Sequence, residues 1–308
     1  MENNNPEKYQ VQHCVKKNVV PCDKLSNHMF GYSSDEYAEI LRYHEQCDCV
    51  EGIKKGKKII TPYWLELIEG YVDLSPLNAF HREVLFSAIS AYEQGIRIIT
   101  ISTTLHSLTG GNQTRVRNNQ YAAIRGAFEK LGFTRIEIDL APLFEAFPNY
   151  ATNFKGNRDR ARIVGILLPM KYLEAEINGQ KVLAIELLGE SPLMSVAKLK
   201  KQLLTYDISP LAISGQNNTP QVITVKNYLL RRINQIERGL NSSILFDTLY
   251  MNCGLADATK RQKQDARKII ADILNALKRS KVIEKFEFKK QGRIYHSIKI
   301  LTNKSENP

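Results

Sequence analysis

Between Lys260 and Asn275 a helical projection at 100° per residue divides the sequence into two arcs. Lys260, Arg261, Gln264, Arg267, Lys268 and Asn275 fall on one, and Ala266, Ile269, Ile270, Ile273, Leu274 and Leu277 on the other. Arg and Lys reach guanine edges and phosphates, and Gln and Asn pair with adenine, so the polar arc has the chemistry to read base edges and grip a nucleic-acid backbone. Its charges crowd the N-terminal half, the part of a recognition helix that enters a major groove. Lys263 falls on the apolar side and is not counted. A second group, Lys289, Lys290 and Arg293, gathers around Gln291-Gly292. Both flanking arms alternate in polarity, and Gln-Gly stands where a tight turn needs a positive φ, so these cations sit at a hairpin tip. From Thr219 to Lys304 the chain holds 18 Lys and Arg against 7 Asp and Glu, a balance of +11 equal to the net charge of all 308 residues. Charge so unevenly placed is an electrostatic footprint.

The elements that must position these groups are legible around them. A helix over about Val222 to Arg238 carries Val222, Val225, Leu229, Ile233 and Ile236 as its apolar stripe, and Gly239 ends it. A shorter helix is expected to start at Ser242 or Ser243, turn Leu245 and Leu249 inward, and stop at Gly254. Thr259 and Gln262 form a Thr-x-x-Gln capping box at the head of the basic helix. Helix, short helix, basic helix and hairpin is the order of a winged helix.

A related order appears earlier. Ser75-Pro76 reads as a helix start, with Leu77, Phe80, Val84, Leu85, Ala88 and Ala91 inward and Gly95 at the end. Ile96 to Ile101 reads as a strand, Thr103 or Thr104 as the cap of a short helix closing at Gly110-Gly111, and Arg115 to Leu131 as a longer helix. Arg115, Arg117 and Asn119 crowd the start of that helix as a second, weaker recognition end. Strands follow over Phe133–Leu140, 162–168, 171–177 and 181–188, the last two joined by Asn178-Gly179, a strong hairpin signal. Glu190 to Leu204 reads as helix, and Gly215 to Pro220 as a linker. The expected fold is thus α+β: two winged-helix modules in tandem, the first with an enlarged antiparallel sheet. The boundaries are an N-terminal arm over 1–60, a first module over 61–214 and a basic module over 215–304.

Other chemistries find less support. Cys14, Cys22, Cys47 and Cys49 lie near His13, His28 and His44, but without the Cys-x₂₋₄-Cys knuckles of structural zinc, so they read as reduced thiols in a mobile arm and no metal or other cofactor is expected. Cys253 reads as a core residue. Glu137 with Asp139, Glu174 with Glu176, and Glu186 could serve a metal-dependent nuclease, although the solvent face of an antiparallel sheet explains their spacing more simply. Gly52 to Lys58 has the wrong glycine spacing for a phosphate loop, and no Ser or Thr follows Lys57. No apolar run approaches the ~20 residues of a membrane span, and Met1 to Asn5 lacks a signal-peptide pattern, so a cytoplasmic protein without membrane contact is expected.

The run Lys226-Asn227-Tyr228-Leu229-Leu230-Arg231-Arg232-Ile233, followed by Ile244 to Tyr250, resembles segments of the winged-helix replication initiators of plasmids and mobile elements, and the likeness covers about Ser75 to Leu301. The resemblance implies binding of double-stranded DNA at origin repeats, recruitment of a separate replicative helicase and a possible homodimer, with no catalytic residue. A transcriptional repressor with the same modules, a metal-dependent nuclease, and a protein whose basic face binds an acidic partner or RNA are the alternative readings.

Overall fold

The computed structural model describes residues 15–31, 48–54, 57–67, 76–111, 115–151, 156–177, 180–213 and 217–303. Among them the fold is α+β, with helices set against four small sheets whose paired strands all run antiparallel. Two stretches share one plan. In the second, helix α7 (Pro220–Glu237) leads to strand β10 (Ser243–Leu245), helices α8 (Phe246–Asn252) and α9 (Lys260–Arg279), and a hairpin of β11 (Ile283–Gln291) and β12 (Ile294–Thr302). The short strand pairs with the second arm of the hairpin, giving the order β10-β12-β11. In the first, α2 (Ala79–Glu93) leads to β4 (Ile98–Thr100), α3 (Ile101–Thr109), α4 (Asn118–Gly132) and, later, the hairpin β7 (Met170–Ile177) and β8 (Gln180–Leu187), again ordered β4-β8-β7. The first stretch is enlarged between α4 and β7. There β5 (Thr134–Asp139), the short helix α5 (Ala141–Ala146) and β6 (Arg162–Ile166) lie, and β5 and β6 extend β2 (Asp48–Lys54) and β3 (Lys57–Leu67) into the sheet β2-β3-β5-β6.

Four readings of local structure change, each for a physical reason. In both halves the short strand runs straight into the next helix, so the last strand residue is the cap. Thr100 accepts from the Thr103 amide at 3.1 Å while the Thr103 hydroxyl accepts from the Thr100 amide at 2.8 Å, which displaces Thr103 and Thr104 as N-caps. Leu245 likewise takes the place expected of Ser242 or Ser243, without a side-chain bond. At α2 the cap is Asn78, whose side chain accepts from the Phe80 and His81 amides while His81 Nδ1 accepts from the Asn78 amide. Ser75, expected to cap it, lies outside the described residues. The expected helix over 190–204 stops earlier: α6 (Pro192–Lys200) ends at Lys201, which takes a left-handed φ of 54°. Leu203 to Asp207 then form β9, with Leu204 and Tyr206 buried and Thr205 and Asp207 exposed.

The partner of β9 corrects the expected arm. Lys17–Pro21 form β1 and pair with β9 from Lys17↔Asp207 to Pro21↔Leu203. A short helix α1 (Lys24–His28) follows, and Val20, Leu25, Met29 and Phe30 are at most 2% exposed, so residues 15–31 belong to the first core. The outer edge of β1 meets side chains of α2: Ser90 Oγ accepts from the Val19 amide and donates to the Val19 carbonyl, and Gln94 donates to the Lys17 carbonyl. Cys14 and Cys47 lie outside the described residues, and Cys22 is half-buried.

Among the described residues two apolar cores are present, and α7 serves both. Of its expected stripe, Val225, Leu229, Ile233 and Ile236 lie in the second core and Val222 is buried, whereas Ile223 and Leu230, on the other side, lie in the first. A helix flanked by apolar partners on two sides is buried nearly all round, which is why Lys226, Asn227 and Arg231 are also buried. The expected linker is correspondingly engaged at its end, where Thr219 caps α7 by accepting from the Val222 amide.

A buried ionic cluster joins the halves. Glu83 on α2 accepts from Arg82 and, with both carboxylate oxygens, from Arg231 on α7. Arg82 also donates to the carbonyl of Asn252 at the end of α8, 2.7 Å away, where the helix dipole favours a cation. Burial pushes the Glu83 pKa up, but Arg231 and Arg82 outweigh it and hold the carboxyl below its ordinary range.

Candidate nucleic-acid interface

The helix α9 is held by its capping box, in which Gln262 Oε1 accepts from the Thr259 amide at 2.7 Å and Thr259 Oγ1 from the Gln262 amide. Ala266, Ile270, Ile273, Leu274 and Leu277 are buried beneath it. Lys260, Arg261, Gln264, Lys268 and Asn275 are exposed on the opposite face, with Lys268 bonded to Asp265 at 3.1 Å. Arg267 departs from the expected face. It follows directly after the buried Ala266, so it sits at the border of the apolar arc and is half-buried. Its guanidinium donates to Tyr250 Oη at 3.0 Å and lies 5.1 Å above the Tyr295 ring. Lys263 is tied down as well, donating to the Ala256 carbonyl and lying over Tyr250.

The hairpin tip is shifted by one residue from its expected place. Gln291 pairs with Ile294, so the two-residue loop is Gly292-Arg293, with Gly292 at a φ of 62° as a primed turn requires. Lys289, Lys290, Arg293 and Ile294 are all exposed there, Ile294 at 74%. Lys289 pairs with Glu287 at 2.7 Å, and that hydrogen bond holds the Glu287 carboxyl below its ordinary range. Lys290 lies 4.6 Å from the Tyr295 ring centroid. The structure thus brings Arg267 of α9 and Lys290 of the hairpin onto one tyrosine.

The three residues expected at the second recognition end, Arg115, Arg117 and Asn119, are all exposed, and Arg117 donates to Asn217 Oδ1 at 3.0 Å. Gln120 next to them donates to the Asn218 carbonyl, so the start of α4 is bound to the residues that lead into α7. Asn218 Oδ1 in turn accepts from the buried Lys226 at 2.9 Å.

Glu137, Asp139 and Glu186, weighed for metal chemistry, are not brought together. Glu137 is on β5, paired with Arg162; Asp139 caps the Ala141 amide; Glu186 is on β8 in another sheet, paired with Lys171. Among the described residues no group of three or more His, Cys, Asp or Glu could hold a metal ion. Cys253 is buried in the second core, and burial pushes its thiol up to about 12. Among the described residues no helix is long and apolar enough to cross a membrane.

Sequence reasoning missed Tyr250 and Tyr295. Both stand in segments it considered, but what they touch is set by hairpin register and helix rotation, which periodicity does not resolve.

No protein-family model matches the sequence, and no curated protein matches it either. Among solved structures the chain is similar to domains 2 and 3 of RctB, at 12% identity over 88% of this chain and 99% of that one, with a TM-score of 0.43. It is also similar to the Pi initiator protein in complex with iteron DNA, at 9% identity over 94% of this chain and 99% of that one, with a TM-score of 0.39.

Proposed function

We propose that this chain binds double-stranded DNA sequence-specifically and starts replication of a plasmid or related mobile element from repeated sites at its origin, without chemistry of its own. In this reading each half is a winged-helix module, with α9 and α4 as recognition helices and the β11–β12 and β7–β8 hairpins as wings. The observation that carries DNA binding is the face of α9: Lys260, Arg261, Gln264 and Lys268 exposed on a helix whose opposite side buries Ala266, Ile270, Ile273, Leu274 and Leu277, next to a hairpin tip bearing Lys289, Lys290 and Arg293. A groove-reading helix flanked by a phosphate-gripping hairpin is what such a surface fits. Arg267 supports the face from behind, and Arg115 and Asn119 offer a second contact. The origin-binding role follows the sequence resemblance of the α7 and α8 segments, with a replicative helicase and a second copy of the chain as its partners.

Selection of bound duplexes from a random pool at physiological salt tests the reading. A recovered motif arranged as direct repeats supports an initiator, and a palindrome would turn the reading toward a repressor. Gln264→Ala should weaken binding to the recovered site by about 1–3 kcal/mol and leave random duplex nearly unaffected. Recovery of no motif, with salt-sensitive binding to any DNA, would refute sequence-specific recognition.

A further inference from the structure

The aromatic residues beneath the basic surface form a connected path. Phe246 of α8 lies tilted against Tyr250 at 5.6 Å and against Phe288 of β11 at 5.7 Å, and meets Tyr295 of β12 edge-on at 6.2 Å. Phe288 meets Tyr295 edge-on at 6.0 Å. The two tyrosines among these rings meet Lys263 and Arg267 of α9 and Lys290 of the hairpin. Tyr250 Oη accepts from Arg267 and lies within 3.5 Å of the Lys263 carbonyl, a second partner on α9. Tyr295 has Arg267 over its ring from α9 and Lys290 from the neighbouring strand.

The last contact depends on a break in the ladder. Lys289 is opposite Ser297, so a regular register would set Lys290 opposite His296; instead Lys290 faces Tyr295. His296 is the additional residue of a bulge, a device that re-aims side chains where a strand meets a functional surface. The effect is to bring the cation at the hairpin tip onto the same ring that holds the helix cation.

We propose that Tyr295, with Tyr250, is a positioning residue that locks the hairpin to the recognition helix and so fixes the distance between the base edges read by α9 and the phosphates gripped by the tip. This rests on the DNA-binding reading above. Neither tyrosine needs to touch DNA. Arg267 is the shared element, held by an aromatic face and a hydroxyl so that its charge lies under the surface at a set place. A hairpin free to swing would still attract phosphate but would no longer register it against the bases.

The test uses full-length protein and the duplex recovered by selection, alongside a scrambled duplex and a third with one base pair inserted between the bases protected by α9 and the flanking phosphates protected by the hairpin. Wild-type protein should bind the inserted duplex at least 10-fold more weakly than the parent duplex. In Tyr295→Leu that penalty should shrink to under 3-fold, and discrimination against the scrambled duplex should fall about 10-fold while scrambled binding stays unchanged. Tyr295→Phe keeps the ring face and should behave as wild type. Tyr250→Phe, which loses only the hydroxyl, should give an intermediate loss, with the same thermal midpoint as wild type showing that the fold is intact. Wild-type discrimination with an undiminished insertion penalty in Tyr295→Leu would overturn the positioning role alone. No preference for any duplex by the wild-type protein would overturn it together with the DNA-binding reading.

Discussion

Lys226 offers the most direct energetic test of how the halves are joined. It is 1% exposed on α7, and its ammonium donates to Asn218 Oδ1 at 2.9 Å. Burial lowers its pKa from 10.5 to about 8. At 1.36 kcal/mol for each pH unit of that difference, keeping the charge inside costs about 3 kcal/mol at neutral pH. The unfolded chain binds the proton up to pH 10.5 and the folded chain only up to about 8. Between those values the unfolded state holds more protons, so stability rises with pH across that window and is flat, with the full cost present, below it. Lys226→Met keeps the length and volume of the side chain but removes the charge, together with a hydrogen bond that contributes about 1 kcal/mol. The variant should therefore be about 2 kcal/mol more stable than the parent at pH 7. Its advantage should shrink through pH 9 and reverse above 10.5, when the parent lysine is neutral in both states. Guanidinium unfolding followed by circular dichroism and by the fluorescence of the single tryptophan, Trp64, at pH 7, 9 and 10.5 would measure this. A variant less stable than the parent by the same amount at every pH would refute the argument, because the lysine would then contribute contacts and no charging cost.

Three further outcomes follow from the same structure. Glu83→Gln leaves two buried guanidinium groups facing each other and should cost about 3–5 kcal/mol in a denaturant titration; because the Glu83 pKa is lowered on folding, its stabilisation should fade as pH drops through the acid range, and the gap between parent and variant should close there. Gly110→Ala should lower the thermal midpoint by about 5 °C or more, since an added Cβ would stand 2.5 Å from the Ile208 carbonyl oxygen and 2.6 Å from the Ala212 nitrogen at a φ of 68°. Arg293→Ala should weaken recovered and scrambled duplexes alike and reduce the slope of log K against log salt by about 0.9, as for one phosphate contact.

The second half of the chain was legible because its signals are local. A capping box, an amphipathic helix and a glycine turn each speak within a few residues, and α9 with its exposed Lys260, Arg261, Gln264 and Lys268 lies where they place it. The first half hides what depends on distance. The short run Lys17–Pro21 has no meaning until β9 is found some 190 residues later, and the run from Lys200 to Leu204 looks helical until Lys201 takes its left-handed turn. Charge misleads more than hydrophobicity does. Arg82, Glu83 and Arg231 carry full charges yet all three are buried, and only the approach of α2 to α7 explains them. Arg267 shows the same limit on a smaller scale, because one position of helix rotation separates a groove-facing arginine from one clasped by two tyrosines.

The double burial of α7 changes how variation along this chain must be assigned. Leu230 and Leu229 are neighbours in sequence, yet one lies in the first core and the other in the second. Two substitutions one residue apart would therefore present as defects of different halves. A change at Leu230 should compensate for, or aggravate, a change near Phe86 or Ile89 sooner than one at Leu249. Inheritance between the halves follows helix face and not linear position, and a cut before Pro220 would orphan a wall of the first core while keeping every fully buried residue of the second.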